Sequence, residues 1–390
     1  ARFATDEGNI GFLALGTVLP LLRDGKVAFP VMLDAIANAQ REVLLEMYWV
    51  SADSCGLRFL DALVSAARRG VVVKVIYDSI GSIGITTAFW GPLRRAGGQA
   101  VEFHAVFPLR NALTTGALER RDHRKLLVVD GAIGVTGGIN LSRQWLPVEE
   151  GGEGWRDDMV AVRGPGAQEL RTLFYDTWRR TTREAPPADA KTLTKKPKSR
   201  VWVLTNTPPL IFGPVRASIG SKRRSIRREY LWRVEGAKKS IEIANSYFVP
   251  NRSVRGALFR AAARGVRVRV LVPDRGDVPI VQFAVESLFD TLIKNGVEVY
   301  ALPDRVLHAK TAIIDDQFAT IGSYNLDERS WAKNMELNLA VEDVPFATHV
   351  REWFDQDCAI AHRIGLDDWR LRSSTRRAVE WVAYGLRRLW

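Results

Sequence analysis

"DHRKLLVVDGAIGVTGGIN", residues 122–140, sets His123, Arg124 and Lys125 directly against the apolar run Leu126–Val129, with Asp130, Gly137 and Asn140 behind it. The second half of the chain repeats the arrangement as "LHAKTAIIDDQFATIGSYN", residues 307–325. His308, Lys310, Asp315, Gly322 and Asn325 keep the spacings of His123, Lys125, Asp130, Gly137 and Asn140. Both copies read H-x-K-x4-D-x6-G-x2-N, and they use two of the five histidines in the chain.

The spacing has a physical meaning. Residues i and i+2 of an extended strand share a face, so the His and Lys of each copy project together while the apolar run carries the strand into a core. The glycines permit close backbone approach, and each Asn can donate hydrogen bonds beside its Lys. If the two copies pair about a pseudo-twofold axis, two His, two Lys and two Asn converge at the seam. Such a pocket suits a phosphate diester: cations and amides for its oxygens, with one imidazole on each side. A lone His-x-Lys would read as an exposed strand edge; a register-matched pair does not. Asp130 and Asp315 are open to two readings, as members of the site or as turn and strand-end carboxylates.

The repeat extends outward from these motifs. "REVLLEMYWV" (41–50), an Ala/Leu/Arg segment and "ARRGVVVKVIYD" (67–78) are matched by "KSIEIANSYFVP" (239–250), "RGALFRAAARG" and "VRVRVLVPD" (266–274). Each reads strand, amphipathic helix, Gly, strand. Two similar α/β halves are expected, 1–185 with the motif at 123–130 and 201–365 with the motif at 308–315. Each should be a mixed β-sheet flanked by helices. The polar, Pro-containing stretch 186–200 has linker composition.

With 390 residues, 46% hydrophobic and 26% charged, the chain has the composition of a folded two-domain protein. Its net charge of +12 favours anionic partners: nucleic acid, a phospholipid surface or phosphorylated small molecules. Cys55 and Cys358 are far apart with no Cys or His at metal spacing, so neither a disulfide framework nor a metal site is expected. The apolar stretch 9–22 is too short to span a bilayer and carries Pro20; it reads as an opening strand or loop. The tail 366–390 is basic, and over 374–390 it places Val379, Val382, Ala383, Leu386 and Leu389 at helical spacing with Trp381, Tyr384, Trp390 and several Arg. It suits either an interfacial helix on anionic lipid or a helix docked on its own domain.

The twin motifs resemble those of the phospholipase D superfamily. The longer stretches "ERRDHRKLLVVDGAIGVTGGINLS" and "HAKTAIIDDQFATIGSYNLDERSWAKNMELN", together with "YFVP" (247–250), are similar to bacterial cardiolipin synthases within it. Many synthases of this type begin with transmembrane helices that this sequence lacks, so the resemblance is to a soluble, peripheral branch.

The resemblance implies two-step displacement at phosphorus through a phosphohistidine, with no cofactor or metal. His123 is then the nucleophile and His308 the acid/base, beside Lys125 and Lys310. It also implies a carboxylate about thirty residues after each His to hold its far nitrogen. Asp157, 34 residues after His123, and Glu336, 28 after His308, fit that place, with Asp158 competing for the first. Asn140, Asn325, Ser323 and Gly138 would face the phosphate, Gly138 supplying no hydroxyl where Ser323 does. The expected partners are an anionic phospholipid such as phosphatidylglycerol and a membrane surface, at the cytoplasmic side of a bacterial inner membrane. Hydrolysis of phospholipid to phosphatidic acid is the neighbouring activity. A phospholipase D-type nuclease is the alternative from another class, with nucleic acid not the expected partner.

Overall fold

The computed structural model describes residues 18–105, 119–189, 200–207 and 225–388. Most of the expected linker, residues 9–17 of the opening apolar stretch and the last two residues of the tail lie outside these.

Two sheets carry the fold. The first holds β1 (Val18–Arg23), β2 (Glu42–Met47), β3 (Val72–Asp78), β4 (Gln99–Phe103), β5 (Lys125–Val129), β6 (Ile133–Gly137) and β7 (Asp158–Arg163). Its order is β1-β7-β6-β5-β2-β3-β4. The second holds β8 (Val201–Asn206), β9 (Ser240–Asn245), β10 (Arg267–Pro273), β11 (Val297–Leu302), β12 (Lys310–Ile314), β13 (Phe318–Gly322), β14 (Glu336–Glu342) and the short β15 (His362–Arg363). Its order, β15-β11-β10-β9-β12-β13-β14-β8, contains the seven-strand order of the first. In both, three parallel strands (β2, β3, β4 and β9, β10, β11) continue into an antiparallel run. The sequence repeat is therefore a repeat of mixed-sheet topology.

Strand alternation sorts the apolar runs into layers. In β5, Leu126 and Val128 face an inner core shared by the two sheets, while Leu127 and Val129 face an outer core. In β12, Ile313 points inward, and Ala312 and Ile314 outward. Burial on both faces is why these strands read as unbroken apolar runs. Helices α1 (Asp24–Ala37) and α2 (Ser54–Arg68) cover the outer face of the first sheet, and α3 (Pro165–Thr182) packs against its inner side. On the second sheet, α4 (Ser225–Gly236), α5 (Arg252–Ala263) and α6 (Pro279–Glu286) lie on the outer face and α7 (Val344–Ile360) on the inner. The last described helix is α8 (Ser374–Gly385), which packs on α6. The α2 and α5 N-termini are capped alike, by Asp53 and Asn251 accepting from the backbone N–H groups two and three residues on.

The sheets meet face to face across β6, β7, β13 and β14, over the inner core they share. Two bridges join them across this seam, Asp122 with Met335 and Arg156 with Leu307. His123 N donates to Met335 O at 3.0 Å, and His308 N donates to Arg156 O. Each motif histidine is thus held by the backbone of the opposite half, one residue before a candidate carboxylate. Buried ion pairs reinforce the join: Arg156 meets Asp158 at 2.5 Å and Asp357 at 2.8 Å, and Thr311 Oγ1 donates to the other Asp158 oxygen at 2.7 Å.

Candidate active site

His123 lies just ahead of β5 and His308 just ahead of β12, and both rings are buried. The His123 Nδ1–H donates to Glu336 Oε2 at 3.0 Å. His308 Nδ1 lies 2.7 Å from Asp157 Oδ2 and 2.9 Å from Lys310 Nζ. The carboxylates are those the sequence singled out, but their partners are exchanged. Each was expected to serve the histidine of its own half; each serves the histidine of the other. The reason is the seam. Asp157 and Glu336 follow the backbone positions that pair with the opposite motif, so their side chains enter the site beside the partner ring.

The two carboxylates sit in unequal surroundings. Glu336 accepts from His123, Ser323 Oγ (2.5 Å), Ser330 Oγ (2.7 Å) and Asn334 Nδ2 (3.2 Å). Burial opposes its ionisation, but His123, Lys125 and Ser323 hold it below the usual carboxylate range. Asp157 accepts from His308, Trp145 Nε1 (2.9 Å) and the Asp158 backbone N–H (2.8 Å). Burial pushes it up to about 7 against the pull of Lys310.

Lys125 and Lys310 are both fully buried. Lys125 Nζ donates to His123 O at 2.7 Å and sits 5.0 Å from the Tyr48 ring centre. Lys310 Nζ donates to His308 O and to Ser246 Oγ (3.0 Å), which passes the bond to Asn325 Oδ1 (2.9 Å). Burial lowers Lys125 to about 7 and Lys310 to about 8. Burial and the lysines also hold both imidazoles below their ordinary value, His308 furthest, although Glu336 pulls His123 upward. The charge of the His123 ring contributes at His308, and each lysine feels carboxylates of both halves. These groups form one electrostatic unit. Two buried lysines brought to one seam are donors suited to an anion's oxygens.

Aromatic rings frame the histidines: Tyr48 is 4.7 Å from His123, and Trp145 and Trp155 are 5.2 and 5.7 Å from His308, centre to centre.

Asp130 and Asp315 are not brought to this site, which corrects the reading that placed them in the catalytic set. They end β5 and β12 at the far end from Lys125 and Lys310, each with positive φ. Asp130 accepts from the backbone N–H groups of Gln40 (2.9 Å), Arg41 (2.7 Å) and Glu42 (2.9 Å). Asp315 accepts from Lys238 (2.8 Å), Lys239 (2.7 Å) and Ser240 (3.0 Å). Both pin the start of the neighbouring strand, β2 or β9, and so set the register that places His and Lys at the other end.

The four expected phosphate contacts divide as well. Asn140 and Asn325 are buried beside the site with Oδ1 engaged by Trp49 N (3.1 Å) and Ser246 Oγ, which leaves the amide N–H groups as what they can offer an anion. Ser323 spends its hydroxyl on Glu336. Gly138 contacts no open space: a Cβ there would overlap the Asp157 carboxylate. The Gly/Ser difference between the motifs thus shapes the two carboxylate pockets rather than the number of hydroxyls facing phosphate.

Sequence reasoning missed Trp145, Ser330 and Asn334, which hold the carboxylates, and Tyr247 and Asp277. Tyr247 Oη–H donates to Asp277 Oδ2 at 2.7 Å, and Asp277 raises both His308 and Lys310 electrostatically. Tyr247 stands in the quoted "YFVP", and Ser330 and Asn334 in the quoted stretch that begins at His308. Among the described residues, no group of three or more His, Cys, Asp or Glu is arranged to hold a metal ion.

Known proteins match this architecture. The family described as "Cardiolipin synthase, PLD-like domain" matches residues 32–178 and 230–358, most of both sheets and both motifs. The chain belongs to this family. It is 31% identical over 362 residues to cardiolipin synthase 2 of Bacillus anthracis, covering 92% of this chain and 68% of that protein. It is 29% identical to the major cardiolipin synthase of Bacillus subtilis, covering 93% and 73%. Phosphatidylserine synthase of Haemophilus influenzae shares the fold at a TM-score of 0.67 and 14% identity, covering 96% of this chain and 95% of that one.

Proposed function

We propose that this member of the phospholipase D-like cardiolipin synthases is a phosphatidyltransferase that joins two anionic phospholipids, phosphatidylglycerol or a close relative, through a phosphohistidine. The reading is carried by one observation. Two imidazoles, each aligned by a carboxylate from the opposite half, stand over two buried lysines at one seam.

In the first step His123 Nε2 attacks phosphorus and the P–O bond to the departing glycerol breaks. His308 gives that oxygen its proton. In the second step His308 takes the proton from the acceptor hydroxyl, whose oxygen attacks phosphorus as the P–N bond breaks. Glu336 keeps the His123 Nδ1–H in place and Asp157 does so for His308, so each ring presents Nε2 to the phosphate. Lys125, Lys310 and the Nδ2 groups of Asn140 and Asn325 hold the non-bridging oxygens. The diester's negative charge raises the lysines and His308 on binding, which supplies the proton the first step needs.

Neither half, 1–185 or 201–365, is competent alone in this scheme, because each imidazole is oriented from the other side. The enzyme works at a bilayer surface, peripheral to the cytoplasmic face of the membrane. Among the described residues, no helix is long and apolar enough to cross one.

Purified protein on phosphatidylglycerol vesicles, with products read by mass spectrometry, tests the reading. A four-chain diphosphatidyl product lost in His123→Ala is expected. Phosphatidic acid alone would make the protein a hydrolase. Cleaved single-stranded DNA with inert lipid would make it a nuclease.

A further inference from the structure

The tail helix resolves into two faces. Glu380, Ala383 and Tyr384 turn toward the protein: Glu380 pairs with Arg372 at 2.9 Å, and Tyr384 Oη accepts from Arg255 at 2.8 Å. Arg376, at the start of the helix, meets Glu286 of α6 at 2.8 Å. The other face carries Val379, Trp381, Val382 and Leu386 into solvent, and Leu371 stands exposed just before the helix. Trp381 is 77% and Leu371 85% exposed. Scattered exposed hydrophobics need no explanation, but four within eight residues of α8 and its C-cap form a patch, with Leu371 exposed ahead of the helix. Exposed Arg377 and Arg388 flank it.

The patch also has a position. The supporting helix α6 exposes Ile280 and begins two residues after Asp277, whose carboxylate reaches His308 and Lys310 electrostatically. In the first half Ile83, 85% exposed, stands beside Ser82, which donates to Tyr48 O at 3.0 Å next to His123. The helix that α8 packs on therefore adjoins the segment whose Asp277 acts on His308 and Lys310.

We propose that α8 is the surface by which the protein sits on an anionic phospholipid bilayer. Trp381, Val382 and Leu371 enter the interface while Arg377 and Arg388 meet phosphate head groups. A helix anchored to its domain by one face and offering aromatic, aliphatic and cationic groups on the other matches an interfacial element. It does not match a protein–protein core, which is depleted of charge. This rests on the phospholipid reading above and adds the surface that delivers the substrate: lipid reaches the seam from the leaflet against which α8 lies.

The test uses the full chain and two kinds of vesicle, phosphatidylcholine alone and phosphatidylcholine with one third phosphatidylglycerol. Sedimentation should show binding to the anionic vesicles only. Trp381→Ser with Val382→Ser should weaken it roughly tenfold or more, and Arg377→Gln with Arg388→Gln roughly tenfold, with lower salt dependence. All four side chains are exposed, so the thermal midpoint should not move. Turnover of monomeric dihexanoyl phosphatidylglycerol should also stay unchanged, while turnover of vesicle lipid falls with binding. Unaltered vesicle binding in both double variants would overturn the proposal, as would equal binding to the two vesicle types. Wild-type protein that binds vesicles through α8 but turns over neither substrate would leave this surface standing and defeat the functional reading instead.

Discussion

His123 in the first half is hydrogen-bonded through Nδ1 to Glu336 in the second, 3.0 Å away, and the exchange is reciprocated by His308 and Asp157. Neither half therefore contains a complete imidazole–carboxylate pair. The arrangement makes the seam between the sheets part of the chemistry, and it gives the two pairs different characters. Glu336 is held ionised by four donors, whereas Asp157 is pushed up to about 7 by burial.

That difference predicts different pH behaviour. Glu336→Gln should lower kcat roughly 10²- to 10⁴-fold at every pH, because the amide cannot hold the same tautomer of His123. Asp157→Asn should cost a comparable factor at pH 8 but much less at pH 6, where the native carboxyl is already largely protonated. Profiles of kcat/KM from pH 5.5 to 8.5 for both variants check this. Parallel profiles would contradict it.

Asp130 and Asp315 are predicted to matter for stability and not for chemistry. Each carboxylate accepts three backbone N–H groups at the start of a core strand. Replacing either by Ala should cost about 2–3 kcal/mol in denaturant unfolding, in line with lost hydrogen bonds to a charged group. The folded fraction, titrated by active-site labelling, should keep its kcat. A large fall in kcat per folded molecule would return these residues to the catalytic set.

The buried lysines set a stability slope. Lys125 is lowered to about 7 and Lys310 to about 8 from an ordinary 10.5. Above those values the unfolded chain holds more protons than the folded one, so stability should rise with pH from about 7 to about 10. Each lysine contributes up to about 1.4 kcal/mol per pH unit in its window. Thermal midpoints from pH 7 to 9.5 should climb, and Lys125→Met with Lys310→Met should flatten the slope. An unchanged slope in the double variant would show that these lysines titrate normally.

Gly138 is required by what stands beside it. A Cβ would overlap the Asp157 carboxylate, so Gly138→Ser should displace Asp157 and lower kcat about 10²-fold. Its counterpart Ser323→Gly removes one of four donors to Glu336 and should cost about tenfold. Equal, small effects would mean that the Asp157 pocket yields.

The repeat was legible because strands impose spacing. His123 and Lys125 two apart, an apolar run buried on both faces, and matching positions in the second copy were enough to give the mixed sheets and place the two imidazoles ahead of equivalent strands. Asp157 and Glu336 could also be picked out, since the family resemblance implies a carboxylate about thirty residues after each His. Their exchange could not, because which half's backbone lies beside a given histidine is decided by packing across the seam, at Met335 and Arg156, with no periodic trace in the chain. Asp130 and Asp315 misled for a related reason: a fixed spacing along a strand reads the same whether it serves the site or the strand's far end. Trp145 and Ser330 each stand five residues after the motif Asn, at Asn140 and Asn325, but they differ in residue type, so the matching positions did not mark them as carboxylate partners.

The exchange of carboxylates is tested most directly by nitrogen NMR of the imidazoles in protein labelled at its five histidines, assigned by single His→Gln variants. Glu336→Gln should lower the titration midpoint of His123 and leave the His308 Nδ1 resonance in place. Asp157→Asn should shift the His308 Nδ1 resonance and leave His123 titrating as before. A Glu336→Gln variant that perturbs His308 and spares His123 would show that each carboxylate serves its own half, and would contradict the seam on which the site is built.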